Sequence, residues 1–262
     1  MADLWTKRYF DTMYLRRWAL GPPGEAEYRH VDFLLSQLTA VPWDTLLDVG
    51  CGQGRYSLSF ADRRMRVTGL DASPRLLHEA RGLALLSGTD VSWVRGDMRA
   101  LPFTRGFGAA ILFDSFGFFD SEEEDEAVIR EMARVIVPEG RVVLAVANGP
   151  RILSAFEPHG REERDGRIVA VQRELDTSTC VVREFITVEE DGAQYSAERR
   201  QRLYSSTELA DIAERAGLTV HSLRGDLAGG PFDEATSVKI VMICGPGNGQ
   251  AESDSRRLRK CR

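Results

Sequence analysis

A run of nine residues, Leu46-Leu47-Asp48-Val49-Gly50-Cys51-Gly52-Gln53-Gly54, most constrains what this chain can fold into. An aliphatic strand that empties into three alternate glycines makes a turn whose backbone a ligand can touch directly, because glycine accepts positive φ and has no Cβ to block the approach. Residues 55–61 can then open a helix whose free N-terminal amides face the same turn. A phosphate-binding dinucleotide loop is spaced Gly-x-Gly-x-x-Gly. Here the spacing is Gly-x-Gly-x-Gly, with Asp48 two residues ahead of the first glycine, and a carboxylate there suits a cationic ligand better than a phosphate.

Downstream, short aliphatic runs alternate with amphipathic ones. Strands are expected at 46–49, 67–70, 91–94, 109–113 and 141–147, and helices at 56–63, 74–86 and 122–136. That order gives a parallel sheet with right-handed crossovers, and it places a ligand crevice at the carboxyl ends of the strands. Ahead of it, residues 5–15 and 31–38 read as two cover helices, separated by Gly21-Pro22-Pro23-Gly24. Runs at 167–175, 180–188 and 193–204 read as antiparallel strands of an insertion bordering the crevice. A helix opening at Ser205-Ser206-Thr207-Glu208 has the spacing of a capping box, and strands at 218–223 and 239–244 complete the sheet. The fold class is therefore α/β: a doubly wound, seven-stranded, mostly parallel, Rossmann-like sheet with cover helices and a small antiparallel β insertion. It divides into cover helices (1–40), ligand-binding core (41–148), β insertion (149–204), last helix and strands (205–244) and a disordered basic tail (245–262).

With 262 residues, 43% of them hydrophobic, the chain can bury a full core. Its net charge is −6, and the last 18 residues hold five basic and two acidic side chains, so the body is acidic and unsuited to tracking phosphates. No nucleic-acid partner is expected. No stretch nears about 18 consecutive apolar residues and the first 14 residues lack a signal-type apolar region, so a cytoplasmic protein without a membrane partner is expected, as monomer or homodimer. Cys51, Cys180, Cys244 and Cys261 are scattered, which indicates neither a zinc site nor a disulfide framework. The acidic run 121–126 opens a helix and complements its dipole.

Carboxylates recur at the strand ends. Asp71 closes the second strand, where it can grip vicinal hydroxyls of a ribose. Asp97 and Met98 follow the third, bringing a carboxylate and a main-chain amide to one edge. After the fourth comes Phe113-Asp114-Ser115-Phe116-Gly117-Phe118-Phe119. The glycine turn resembles motif I of class I S-adenosylmethionine-dependent methyltransferases, and the aromatic block resembles the Ser-Phe-Gly-Tyr-Phe block of a small-molecule subgroup. The resemblance covers residues 28–148 strongly. It implies S-adenosylmethionine as cofactor. Asp48, Gly50, Gly52 and Gly54 would hold its methionine moiety, Asp71 with Ala72 the ribose, and Asp97 with Met98 the adenine. Phe113 would flank it, and Tyr9 or Tyr14 would close over it. The acceptor would be a small molecule, such as a secondary metabolite, sugar or amino acid, methylated on nitrogen or oxygen. Ser115, Phe116, His159 and Tyr204 are the candidates on the acceptor side, with His30 a further imidazole near it, and Arg202 and Tyr204 would lie over the pocket mouth. Two alternatives stay open: an NAD-dependent oxidoreductase, and a non-catalytic S-adenosylmethionine-binding protein.

Overall fold

The structure is a computed structural model that describes residues 8–18, 21–38 and 44–247. The expectations for residues 5–7 and for the tail from 248 onward lie outside the described residues. A helical segment begins as a π-helix (Tyr9–Met13) and runs on as α1 (Tyr14–Trp18), followed by α2 (Glu25–Leu38). The core then alternates: β1 (Thr45–Val49), α3 (Arg55–Asp62), β2 (Arg66–Asp71), α4 (Pro74–Ser87), β3 (Ser92–Arg95), β4 (Phe107–Phe113), α5 (Glu122–Val135), β5 (Ile136–Ala147). After α6 (Gly149–Ser154) come β6 (His159–Arg164), β7 (Arg167–Asp176), β8 (Val181–Glu190) and β9 (Ala193–Arg202). The chain then re-enters the core with α7 (Ser206–Arg215), β10 (Leu218–Arg224) and β11 (Lys239–Pro246).

The main sheet has seven strands in the order β10-β11-β5-β4-β1-β2-β3. Its strands β3, β2, β1, β4 and β5 are parallel, and β11 runs antiparallel between β5 and β10. Chain order reverses between β1 and β4, so a crevice opens at their carboxyl ends. The alternation of side chains sets the two faces. Leu47, Val49, Ala110, Leu112, Val142 and Leu144 pack under α5 and α7, while Leu46, Val67, Ile111, Val143 and Val241 pack under α2 and α3. Strands β6 to β9 form a separate antiparallel sheet. Its Val169, Val171, Ile186, Val188 and Ala197 bury Tyr9 and Met13 of the N-terminal segment.

The second sheet has four strands, one more than the sequence indicates. His159-Gly160-Arg161-Glu162-Glu163-Arg164 carries no apolar alternation, and it forms an exposed edge strand whose charges block further pairing. The short helix α6, and the start of β5 at Ile136 across Pro138, also lack a periodic signal. The last strand runs to Pro246, two residues beyond the expected end. Ser205 caps α7 in a complete capping box with Glu208, as the spacing indicates.

Gly54 caps α3 at φ +79 and faces away from the crevice: a Cβ there would lie 2.3 Å from Trp93 Cη2 and 3.3 Å from Ala80 Cβ. Its role is to let α3 close onto β3 and α4. Gly54→Ala is expected to lose about 2–4 kcal/mol from combined overpacking and left-handed strain. A urea midpoint equal to that of the parent would contradict this packing.

Candidate functional site

Two clefts meet at the carboxyl ends of β1, β2 and β4. The larger encloses about 650 Å³ and the smaller about 220 Å³, and Phe10, Gly50, Asp71 and Ser115 line both. Ala72, Asp97 and Met98 line the larger, and Asp48, Gly52, Phe113 and Tyr14 the smaller.

The glycine turn is built as a surface for contact. Gly50 sits at φ +69, and a Cβ on it would come 2.8 Å from Ser115 Cβ. A Cβ on Gly52 would meet nothing within 4 Å, so its outer face is open. Asp71 stiffens the turn: Oδ2 accepts from the Gly52 amide and Oδ1 from the Ser73 amide, both at 2.8 Å. Burial raises its pKa, and the two amides pull against that shift. Ser115 donates its hydroxyl to Gly50 O at 3.2 Å, which ties the end of β4 to the turn after β1.

Asp48 is 4% exposed and accepts from Ser57 Oγ at 2.5 Å. Burial pushes its pKa to about 7 against that hydrogen bond, with the nearby Asp71 adding to the rise. A carboxyl whose folded pKa lies above its unfolded value favours folding at low pH. That contribution is lost as pH rises from about 4 to about 7. Asp48→Asn is therefore expected to melt higher than the parent at pH 8, in the absence of ligand, by the equivalent of a few kcal/mol. The gap should narrow toward pH 5. A gap that is flat with pH would contradict the assignment.

Asp97 differs from expectation in its partners. Arg99 holds its carboxylate through Nε and Nη2, the latter at 2.6 Å, and reaches Glu124 with Nη1 while lying over the Phe119 ring. The Asp97 side chain stays 44% exposed beside the larger cleft. The hydrogen bond from the Arg99 side chain pulls its pKa down against burial, helped by the Arg99 amide and charge.

Three acceptor-side candidates lie elsewhere. Tyr204 is 4% exposed and donates to Asp125 Oδ2 at 2.7 Å beneath α5, a core hydrogen bond that pushes the Tyr204 pKa up together with burial. Phe116 is 2% exposed and packs against Tyr204. His159 is an exposed residue of edge strand β6. Arg202 donates to Thr179 O, at a turn of the second sheet, rather than covering the mouth. Tyr9 is 1% exposed in the core of the second sheet, so Tyr14 alone of the two tyrosines lines a cleft.

The structure adds residues that the sequence does not single out. The N-terminal segment brings Phe10 and Asp11 to the clefts, and Asp11 Oδ1 accepts from Ser73 Oγ at 2.5 Å. Glu27 pairs with Arg55 at 2.8 Å in the smaller cleft, beside Tyr56, whose hydroxyl lies 3.0 Å from His30 Nδ1. Gln53 is 7% exposed there, and neither its Nε2 nor Arg55 Nε has a hydrogen-bond partner. The sequence signal for Gln53 and Arg55 was their place inside and just after the glycine turn.

Residues 46–140 match the family model for a methyltransferase domain. The chain is 28% identical over 208 residues to a cypemycin N-terminal methyltransferase of Streptomyces sp, covering 76% of this chain and 82% of that one. The protein is a methyltransferase. This methyltransferase is also 27% identical to a dTDP-3-amino-3,6-dideoxy-alpha-D-glucopyranose N,N-dimethyltransferase of Streptomyces fradiae, over 71% of this chain and 74% of that one. It shares its fold with the CcbJ methyltransferase of Streptomyces caelestis, with a TM-score of 0.78, 20% identity, and coverage of 91% of this chain and 98% of that one.

The clefts suit S-adenosylmethionine, the cofactor that the resemblance of the glycine turn implies. The open face of Gly52 and the lack of a Cβ at Gly50 leave room against the backbone, and the buried donors of Gln53 and Arg55 await an acceptor. Among the described residues no group of His, Cys, Asp and Glu is arranged to hold a metal ion, and no helix is long and apolar enough to cross a membrane.

Proposed function

We propose that this methyltransferase transfers a methyl group by in-line displacement to a nitrogen or oxygen of a small molecule of the secondary-metabolite, sugar or amino-acid type, and that an amine nitrogen is the acceptor its site favours. The bound cofactor supplies an electrophilic methyl on a sulfonium. The protein's part is to hold the two reactants in line and away from water, which can supply several kcal/mol. Asp48 and the Gly50 and Gly52 backbone hold the methionine end, with Gln53 and Arg55 as donors to its carboxylate. Asp71 with Ala72 holds the ribose, and Met98 with Asp97 borders the adenine. Phe113 and Tyr14 wall the methyl-bearing end.

The observation that carries the amine reading is charge. Glu27, Asp48, Asp71 and Asp114 all line the smaller cleft, against the guanidinium of Arg55 within it and the ammonium of Lys239 at Asp114. Such a lining attracts a cationic acceptor and stabilises the alkylammonium that results. The names of the cypemycin and amino-sugar relatives, both of which act on nitrogen, support the same reading. The test is incubation with methyl-labelled cofactor and matched pairs of small amines and alcohols, including a 3-amino sugar nucleotide and an N-terminal peptide amine. Label recovered on nitrogen is the expected result. Label recovered only on oxygen would overturn the amine reading.

A further inference from the structure

Strand β4 ends on Phe113, and the next residue takes an unusual path. Asp114 has φ +56, in the left-handed region that residues other than glycine, asparagine and aspartate rarely adopt. Its amide still donates to Ala145 O at 2.8 Å, so the ladder to β5 continues one residue past the strand while the backbone turns. The turn brings Asp114 to the wall of the smaller cleft, in the company of Tyr14 and Tyr56. Its charge is felt by both phenols: behind burial, and for Tyr14 also behind Tyr9, it contributes to raising each pKa. The Asp114 side chain is 59% exposed and thus open to a ligand.

An alkylammonium already occupies this carboxylate. Lys239, the first residue of β11, places Nζ 2.5 Å from Asp114 Oδ1. The chain otherwise relies on arginine: of its 34 basic residues only Lys7, Lys239 and Lys260 are lysines. A guanidinium would grip a carboxylate through two parallel hydrogen bonds, whereas an ammonium makes a point contact on a flexible stem. A part-exposed pair of this kind is weak, so an incoming cation can displace it.

We propose that Asp114 is the seat of the acceptor's amino group and that Lys239 holds that seat until the acceptor arrives. The proposal rests on the amine reading above and assigns the residue that enforces it. The ammonium that has displaced Lys239 first loses one proton to water; the amine lone pair so freed forms the new N–C bond while the S–C bond breaks with its electron pair remaining on sulfur. Positive charge thus leaves sulfur and appears on nitrogen, beside Asp114. The carboxylate favours the charge that develops over the charge that disappears, and the extra proton on nitrogen leaves to water after release. Asp114 need accept no proton. Its contribution is electrostatic and orienting.

The test needs no knowledge of the acceptor. Sinefungin is a cofactor analogue in which a carbon bearing a primary amine replaces the methyl-bearing sulfur, so its ammonium probes the place where methyl meets acceptor. S-adenosylhomocysteine lacks that group. Calorimetric titration of both ligands into the parent protein, Asp114→Asn and Lys239→Met is the experiment. Asparagine tolerates the left-handed backbone, so the first variant keeps the turn. The parent should bind sinefungin at least tenfold tighter than S-adenosylhomocysteine. Asp114→Asn should lose that preference while its S-adenosylhomocysteine affinity stays within about threefold, and Lys239→Met, which frees the carboxylate, should widen it. A parent without preference, a preference that survives in Asp114→Asn, or one that narrows in Lys239→Met would overturn the proposal. A parent that binds neither ligand would instead overturn the cofactor assignment on which both readings stand.

Discussion

Glu184→Ala will destabilise the protein by about 3–5 kcal/mol, because it strands the buried guanidinium of Arg17, which shares one carboxylate with the part-buried Arg173 and Arg199. Arg17, Arg173 and Arg199 reach Glu184 at 3.0, 2.9 and 2.5 Å, and both the Glu184 and Arg17 side chains are 6% exposed. Burial alone would raise the Glu184 pKa, but Arg199 and Arg17 together bring it down to about 2. A carboxylate depressed in this way stabilises the fold above its unfolded pKa and loses that contribution as pH falls from about 4.5 toward about 2. For a chain of this length the loss corresponds to a fall in Tm of roughly 10 °C, readable by scanning calorimetry near pH 7. Function should follow stability. Arg17 lies on the segment that brings Phe10, Asp11 and Tyr14 to the clefts, so the variant should also bind the cofactor more weakly. Glu184→Gln keeps the shape and removes the charge, and it should fall between the two. An unchanged Tm in Glu184→Ala would show that the arginines find other partners and that this cluster does not anchor the segment.

Asp71→Ala is expected to lower cofactor affinity at least 100-fold. Two effects add. The variant loses the carboxylate proposed to hold the ribose, and it strips the Gly52 and Ser73 amides of their acceptor. A buried donor left without a partner costs about 1–3 kcal/mol, and loosening at Gly52 distorts the turn on which the methionine end rests. Asp71→Asn separates the effects. It preserves volume but turns one acceptor oxygen into a donor, which then faces a main-chain amide, so the turn should be strained even though the side chain remains. Calorimetric titration with S-adenosylhomocysteine measures both variants. Parent-like affinity in Asp71→Ala would remove Asp71 from the ribose site.

What could be read from the sequence follows the range of the interactions. The strand and glycine turn from Leu46 to Gly54, the carboxylates at 48, 71 and 97 and the capping box at Ser205 are local patterns, and the structure places each at the strand or helix end that the pattern indicates. Gly54 shares the motif yet faces Trp93, because spacing reports which residues can take positive φ and not which side of the turn each faces. Edge strand β6 lacked a signal because it buries almost nothing. The N-terminal contribution was least legible. Tyr9 and Met13 are covered by strands that begin about 160 residues later, and the Arg17–Glu184 pair spans 167 positions, so neither could be read from local periodicity. Tyr204 shows the opposite error: a tyrosine placed by motif at the pocket mouth satisfies a buried aspartate in the core instead.

The central claim is that the clefts at the ends of β1, β2 and β4 bind an adenosyl sulfonium and not a dinucleotide. Parallel calorimetric titrations of the purified protein with S-adenosylmethionine, S-adenosylhomocysteine and NAD test it directly. The account predicts micromolar or tighter binding of the first two and none of NAD. NAD binding with no response to either sulfur ligand would contradict it.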